Sequence, residues 1–181
     1  MDFLQYYNLE NYLFMTVRSR FTHGKRLSAF DFFCIVVWKA NCAKSKIARR
    51  LLSGPPSGYH DLERAVDALA RDLAKRQSPE DRLRCLCKEW KLSLPIASAI
   101  LTVLYPDEFT VYDVRVCNML NGFHNLKNLR RFENLWHGYE QYKVRVEAAA
   151  PENLSLRDKD RYLWAKSFFR QLRKDVSTGF R

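Results

Sequence analysis

Asp113 stands directly before Val114-Arg115-Val116, where the extended run Phe109-Thr110-Val111-Tyr112 gives way to a helix. A carboxylate in that place caps the helix, which immobilises its side chain. A stationary negative charge stabilises a cation that develops beside it and can orient a water. Tyr112 and Arg115 flank the carboxylate and are placed to line the same pocket; Tyr112 reads equally well as a core residue. Trp38-Lys39 closes an otherwise apolar stretch, putting an aromatic face beside an ammonium. That pair reads as a core Trp with a Lys stem lying along the surface, or as a pocket pair for a planar ring and its phosphate. Lys44, Lys46, Arg49 and Arg50 read as a solvated face or as phosphate contacts. His23, His60, His124 and His137 are scattered, and Cys34, Cys42, Cys85, Cys87 and Cys117 lack metal-site spacing. The expectation is no metal and no cofactor.

The elements that must position these groups are helical. Leu9, Tyr12, Leu13, Val17 and Phe21 recur at helical spacing, which predicts a helix over Asn8 to Phe21. Ser28 and Asp31 form a capping box ahead of Phe30, Phe33, Val36 and Val37. A short basic helix spans Ala43 to Leu52, and Ser53-Gly54-Pro55-Pro56-Ser57-Gly58 is a loop. Asp61 and Ser78-Pro79 start two further helices. Ser93 is placed to cap the next, whose Ala97, Ala99, Ile100, Leu101, Val103 and Leu104 make it apolar nearly all round, as a central helix is. Gly122 reads as the residue that closes the helix after Asp113. A long helix over Leu129 to Ala150 and a last one capped by Ser155 with Asp158 complete the chain. No segment alternates as a strand does. The expected fold is all-α, a compact unit of about eight or nine helices.

From Lys91 to Leu120 the order is a short turn, a helix with A-x-A-I-L, a Pro-marked loop and F-x-V-x-D-x-x-V. This stretch resembles the helix-hairpin-helix DNA glycosylases of base excision repair, which include the endonuclease III and adenine-mismatch types. A looser likeness extends to Trp38-Lys39, Leu156-Arg157 and Leu163-Trp164. The resemblance implies a two-lobed helical fold, with residues 28–122 as one lobe and the N-terminal helix plus 123–181 as the other. It makes Asp113 the catalytic carboxylate and Trp38, Lys39, Tyr112 and Arg115 the pocket for a flipped base. It makes Lys91-Leu92-Ser93 the phosphate-gripping turn, where the family has Gly-x-Gly; an ordinary helix–helix connection is the other reading of that turn. Pro95 stands where bifunctional members carry a Schiff-base lysine, so the implied enzyme is monofunctional. No cysteine follows Cys117, so the family's iron–sulfur loop has no counterpart.

The formal net charge is +11 over 181 residues. Such a balance favours a polyanionic partner, because Lys and Arg gain affinity by releasing phosphate counterions. Double-stranded DNA is the partner the resemblance implies. A non-catalytic DNA-binding module of the same fold, or an RNA- or protein-interaction domain with a basic surface, would carry the same charge. Met1 to Glu10 lacks a basic start and an apolar run, which predicts no signal peptide. The dispersed cysteines fit reduced thiols. A cytoplasmic monomer without a membrane span is expected, nucleoid-associated if the source is prokaryotic. DNA affinity is expected to fall steeply with salt. Replacing Arg49 and Arg50 with Glu should weaken binding to all sequences alike and flatten the salt slope by roughly two, about 0.9 for each phosphate that is no longer neutralised. Titrations at several salt concentrations check this; an unchanged slope would move the phosphate surface elsewhere.

Overall fold

Short polar side chains start most of the helices, and all but one of them bond a helix amide. Ser28 Oγ accepts from the Asp31 amide at 3.0 Å, Asp61 Oδ1 from Arg64 at 2.8 Å, Ser78 Oγ from Asp81 at 3.1 Å and Ser155 Oγ from Asp158 at 3.1 Å. Each bond satisfies a donor that the first helical turn would otherwise leave unpaired. The computed structural model describes residues 3–53 and 58–180. Gly54, Pro55, Pro56 and Ser57 of the expected loop lie outside the described residues.

After a short turn at Leu4–Tyr7, nine helices follow among the described residues. They are α1 (9–24, with a wide π turn at Tyr12–Val17), α2 (Ala29–Ala40), α3 (Lys44–Ser53), α4 (Leu62–Lys75) and α5 (79–89, with a π turn at Cys85–Glu89). Then come α6 (Leu94–Leu104), α7 (Val114–Leu120), α8 (Phe132–Ala149) and α9 (Leu156–Ser177). No strand occurs among the described residues, so the expected all-α class holds. No described helix is long and apolar enough to cross a membrane.

Four local expectations are corrected. Ser93 occupies the first position before α6, but its side chain makes no capping bond. Asn121, not Gly122, takes the left-handed conformation that ends α7, at φ 52°; the Gly122 amide then reaches back to the Cys117 carbonyl. Helix α8 starts at Phe132 rather than near Leu129, because a short 3₁₀ turn at Leu126–Asn128 comes first. The Asp31 side chain turns away from a reciprocal capping bond. It accepts instead from Tyr12 Oη at 2.6 Å and from Arg20 at 3.2 Å, tying α2 to α1.

Helix α6 is the axis of the core. Every residue in it except Pro95 is buried, and α1, α2 and α5 pack around it. On the other side α7 packs against α8 and α9. Between α6 and α7 the chain passes through the interior as the extended run 109–113. Phe109, Thr110, Val111 and Tyr112 are all buried, so their backbone polar groups need partners inside the protein. Side-chain hydroxyls supply them. Tyr139 Oη donates to the Thr110 carbonyl at 2.6 Å and accepts from its amide at 3.1 Å. Tyr142 Oη donates to the Val111 carbonyl at 2.9 Å, and Ser98 Oγ accepts from the Tyr112 amide at 2.9 Å. Helices α6 and α8 therefore hold the run from both sides and fix where Asp113 emerges. Tyr139→Phe strips Thr110 of both partners and should cost about 1–3 kcal/mol. Urea unfolding measures it; a variant as stable as the parent would mean the run is held by packing alone.

Candidate active site

Asp113 is bound at both carboxylate oxygens. Oδ1 accepts from the Arg115 amide at 2.8 Å, which caps α7, and Oδ2 accepts from Lys39 Nζ of α2. The ion pair is mostly removed from solvent, with the Lys39 side chain 10% exposed and that of Asp113 19%. It faces a cavity of about 660 Å³. Trp38, Val111 and Trp164 contribute apolar walls, and Glu10, Asp158, Asp160 and Arg161 contribute polar ones. The volume lies within the range of ~300–1,000 Å³ typical of ligand pockets. The cavity thus forms where α1 and α9 meet α2 and the emerging run 109–113.

Lys39 reaches Asp113 because α2 packs directly on α6 and ends beside the start of α7. Trp38 is half-buried and braced edge-on by Phe14 at 5.8 Å between ring centres. Phe14 also carries the Arg157 guanidinium over its face at 3.5 Å. Arg157 and Arg161 both bind the Glu10 carboxylate, at 3.0 and 3.1 Å, which joins α9 to α1 at the pocket floor.

Two expected pocket residues lie elsewhere. The Tyr112 ring is buried, and its hydroxyl donates to the Phe123 carbonyl at 2.7 Å. It faces a second, smaller cavity of about 260 Å³ behind Asp113, shared with Lys39, Pro95, His124 and Lys127. Burial pushes its phenol well above the ordinary range. The Arg115 guanidinium swings outward because Trp164 and Phe168 offer their faces at 5.3 and 5.6 Å; it also donates to Gln171 at 2.8 Å. Trp164 and Phe168 stack at 5.7 Å and are about two-fifths exposed. Together with Arg115 they make an aromatic shelf at the pocket rim.

The turn before α6 differs from a glycine turn and buries its middle residue. Lys91 takes the left-handed conformation, φ 53°, in place of a glycine. The Leu92 side chain is buried and its amide donates to the Leu86 carbonyl at 2.9 Å, so neither faces a ligand. Pro95 has no N–H, and the Ile96 amide bonds to the Ser93 carbonyl at 3.0 Å. Lys91 and Ser93 remain exposed. Lys44, Lys46, Arg49 and Arg50 all lie on the exposed side of α3, opposite the buried Ile47 and Leu51.

Asp160 was not among the residues singled out from the sequence. It sits on the inner stripe of α9 with Leu163 and Ser167, is 8% exposed, and its Oδ1 has no hydrogen-bond partner. A charged residue on an otherwise inward-facing helical stripe is the signal that marks it. Burial pushes its carboxyl up to about 7; the Lys39 charge and the Val111 amide oppose the rise, while Asp113 and Glu10 add to it. The thiols offer no competing nucleophile in the pocket. Burial raises Cys34 to about 11 and both Cys85 and Cys87 to about 12, and Cys117 also rises. Among the described residues no group of His, Cys, Asp and Glu is arranged to hold a metal ion.

Comparison of the chain with protein-family models, with curated proteins and with solved structures finds no match.

Asp160 leaves a mark on stability. Between its ordinary value near 3.8 and about 7, the folded state keeps a proton that the unfolded chain has released. Stability therefore declines as pH rises through that window and levels off above it. Asp160→Asn removes the loss. It should stabilise the protein by about 2–4 kcal/mol at pH 8, with the gain vanishing toward pH 4. Unfolding at the two pH values decides it; a variant less stable than the parent at both would mean Asp160 is ionised and compensated in the fold.

Proposed function

We propose that this protein is a DNA N-glycosylase that extrudes a base from duplex DNA and hydrolyses its bond to the sugar. One observation carries the reading: a capped carboxylate, Asp113, opens onto a pocket with tryptophan walls in a strongly basic chain. Breaking an N-glycosidic bond develops positive charge on the sugar ring, as in other glycoside hydrolysis. Asp113 would stabilise that charge and orient the attacking water. Trp38 and Trp164 would take the extruded base between apolar faces. The exposed residues Lys44, Lys46, Arg49 and Arg50 would hold phosphates. The shelf of Arg115, Trp164 and Phe168 would stack against bases next to the vacated position.

Lys39 supplies an amine to the pocket, but its ammonium is engaged by Asp113. An amine acts as a nucleophile through a free electron pair. The products should therefore be abasic sites rather than strand breaks, and borohydride should trap no covalent adduct. A trapped adduct that disappears in Lys39→Arg would make the enzyme a lyase as well.

The decisive experiment is incubation with duplexes that carry damaged or modified bases, followed by detection of abasic sites. Asp113→Asn keeps an acceptor for the Arg115 amide and removes the charge. Base release should fall at least a hundredfold, the equivalent of about 3 kcal/mol of transition-state stabilisation. Binding to undamaged DNA should hold, because losing a carboxylate near phosphates removes a repulsion. Lys39 loses its anion, so the variant should also melt earlier, by on the order of 1–3 kcal/mol in stability. Parent-rate cleavage by the variant would leave Asp113 as a cap alone. A protein that binds DNA and releases nothing from the panel would instead be the binding module.

A further inference from the structure

We propose that Asp160 is the proton donor to the departing base, so that the preferred substrates are neutral bases that must be protonated on a ring nitrogen to leave. This rests on the glycosylase reading above. The geometry that carries it is a division of labour between two carboxyls on one pocket. Asp113 has a cation of its own in Lys39. The remaining pocket anions are also matched: Glu10 with Arg157 and Arg161, and Asp158 with Arg161 at 2.9 Å. Among the described residues Asp160 makes no ion pair, and its Oδ1 is buried without a partner.

The groups that face Asp160 come from every neighbouring element. Lys39 from α2, Asp113 from the start of α7 and Glu10 from α1 act on it by charge, as the Val111 amide does by hydrogen bonding. Tyr139 and Tyr142 of α8 lie within electrostatic reach of Asp160. Their hydroxyl protons are committed to the Thr110 and Val111 carbonyls, so neither donates to the carboxylate. Lys39, the cation that acts on it, is spent on Asp113, and a buried carboxyl without a counter-charge keeps its proton. Its raised value, about 7, agrees.

The step balances without any further reagent. The C1′–N bond breaks and its electron pair goes to the base. A ring nitrogen of the base takes the proton from Asp160, so the base leaves neutral. A water adds to C1′ and gives its proton to Asp113, which passes it to solvent. Asp160 takes a proton back from solvent. One fixed anion and one held proton are the pair that glycoside hydrolysis uses.

The test compares leaving groups. Adenine and hypoxanthine leave well only when protonated, whereas 7-methylguanine and 3-methyladenine already carry the positive charge. With duplexes containing each, Asp160→Asn should slow release of the neutral bases at least a hundredfold and of the cationic bases less than tenfold. The parent rate on neutral bases should fall about tenfold per pH unit above 7, and the variant should lack that limb. Infrared difference spectra at pH 6 should show a protonated carboxylic acid in the parent that is missing from Asp160→Asn. Equal slowing of both classes, or no such carbonyl band, overturns the role of Asp160 alone. If the parent protein releases no base of either class, the glycosylase reading fails and this one falls with it.

Discussion

A stretch of extended backbone that crosses a helical interior has no ladder partner, and the architecture around 109–113 answers that constraint. Four consecutive buried residues bring amides and carbonyls that must be satisfied within the protein. Tyr139, Tyr142 and Ser98 meet the need with hydroxyls from α8 and α6. The requirement sets the spacing of the two tyrosines, three residues apart on the inward face of α8, and puts a serine inside an otherwise apolar central helix. It also fixes the exit of the chain, because Asp113 is the first residue past the run and the cap of α7. The position of the candidate catalytic group thus follows from the solvation of a backbone together with its own cap on α7.

Charge matching around the pocket follows from the same placement. Once Asp113 emerges at that point, the nearest cation is the last basic residue of α2, and the two pair. Glu10 is matched from α9 by two arginines, and this contact docks the C-terminal helix onto the N-terminal one. The charged side chains of the pocket wall, apart from Asp160, are therefore already committed to partners within the protein. Asp160 is the remainder of this pairing: burial disfavours its charged form, and the Lys39 charge that opposes this is engaged by Asp113.

How much of this was legible in the sequence depends on the range of the interaction. The all-α class and the caps at Ser28, Asp61, Ser78, Asp113 and Ser155 were legible because capping acts over three residues. The apolar circumference of α6 announced its central place. Gly122 misled because Asn121 tolerates the left-handed conformation and ends α7 one residue earlier; Ser93 misled because it holds the cap position while its side chain makes no bond to the helix. Leu92 was hidden for a related reason, since the turn spends its amide on α5 and its side chain on the core. Trp38 and Lys39 were legible as a pair, but only packing decides that Lys39 meets Asp113. Arg115 was misplaced because two aromatic faces on α9, some fifty residues away in sequence, attract its guanidinium. Asp160 was missed altogether, since nothing within its own helix shows which cations its neighbours have taken.

If the protein is the proposed glycosylase, the Lys39–Asp113 pair reconciles two demands that pull against each other. A protein that holds a polyanion gains from positive charge, whereas stabilising a sugar cation calls for a negative one. A bare carboxylate at the pocket would repel the phosphates on either side of the extruded nucleotide. Paired with an ammonium it is neutral at a distance, and beyond a Debye length of ~10 Å in 0.1 M salt it contributes almost nothing to the field of the +11 chain. Within a few ångströms the two charges no longer cancel, and a cation that forms on the carboxylate side feels mainly the nearer charge. On the proposed reading, separation of length scales therefore lets one surface attract DNA and one atom of it favour a cation. The same logic explains why the second carboxyl, Asp160, is compatible with the site: while it keeps its proton it adds no negative charge to repel the phosphates.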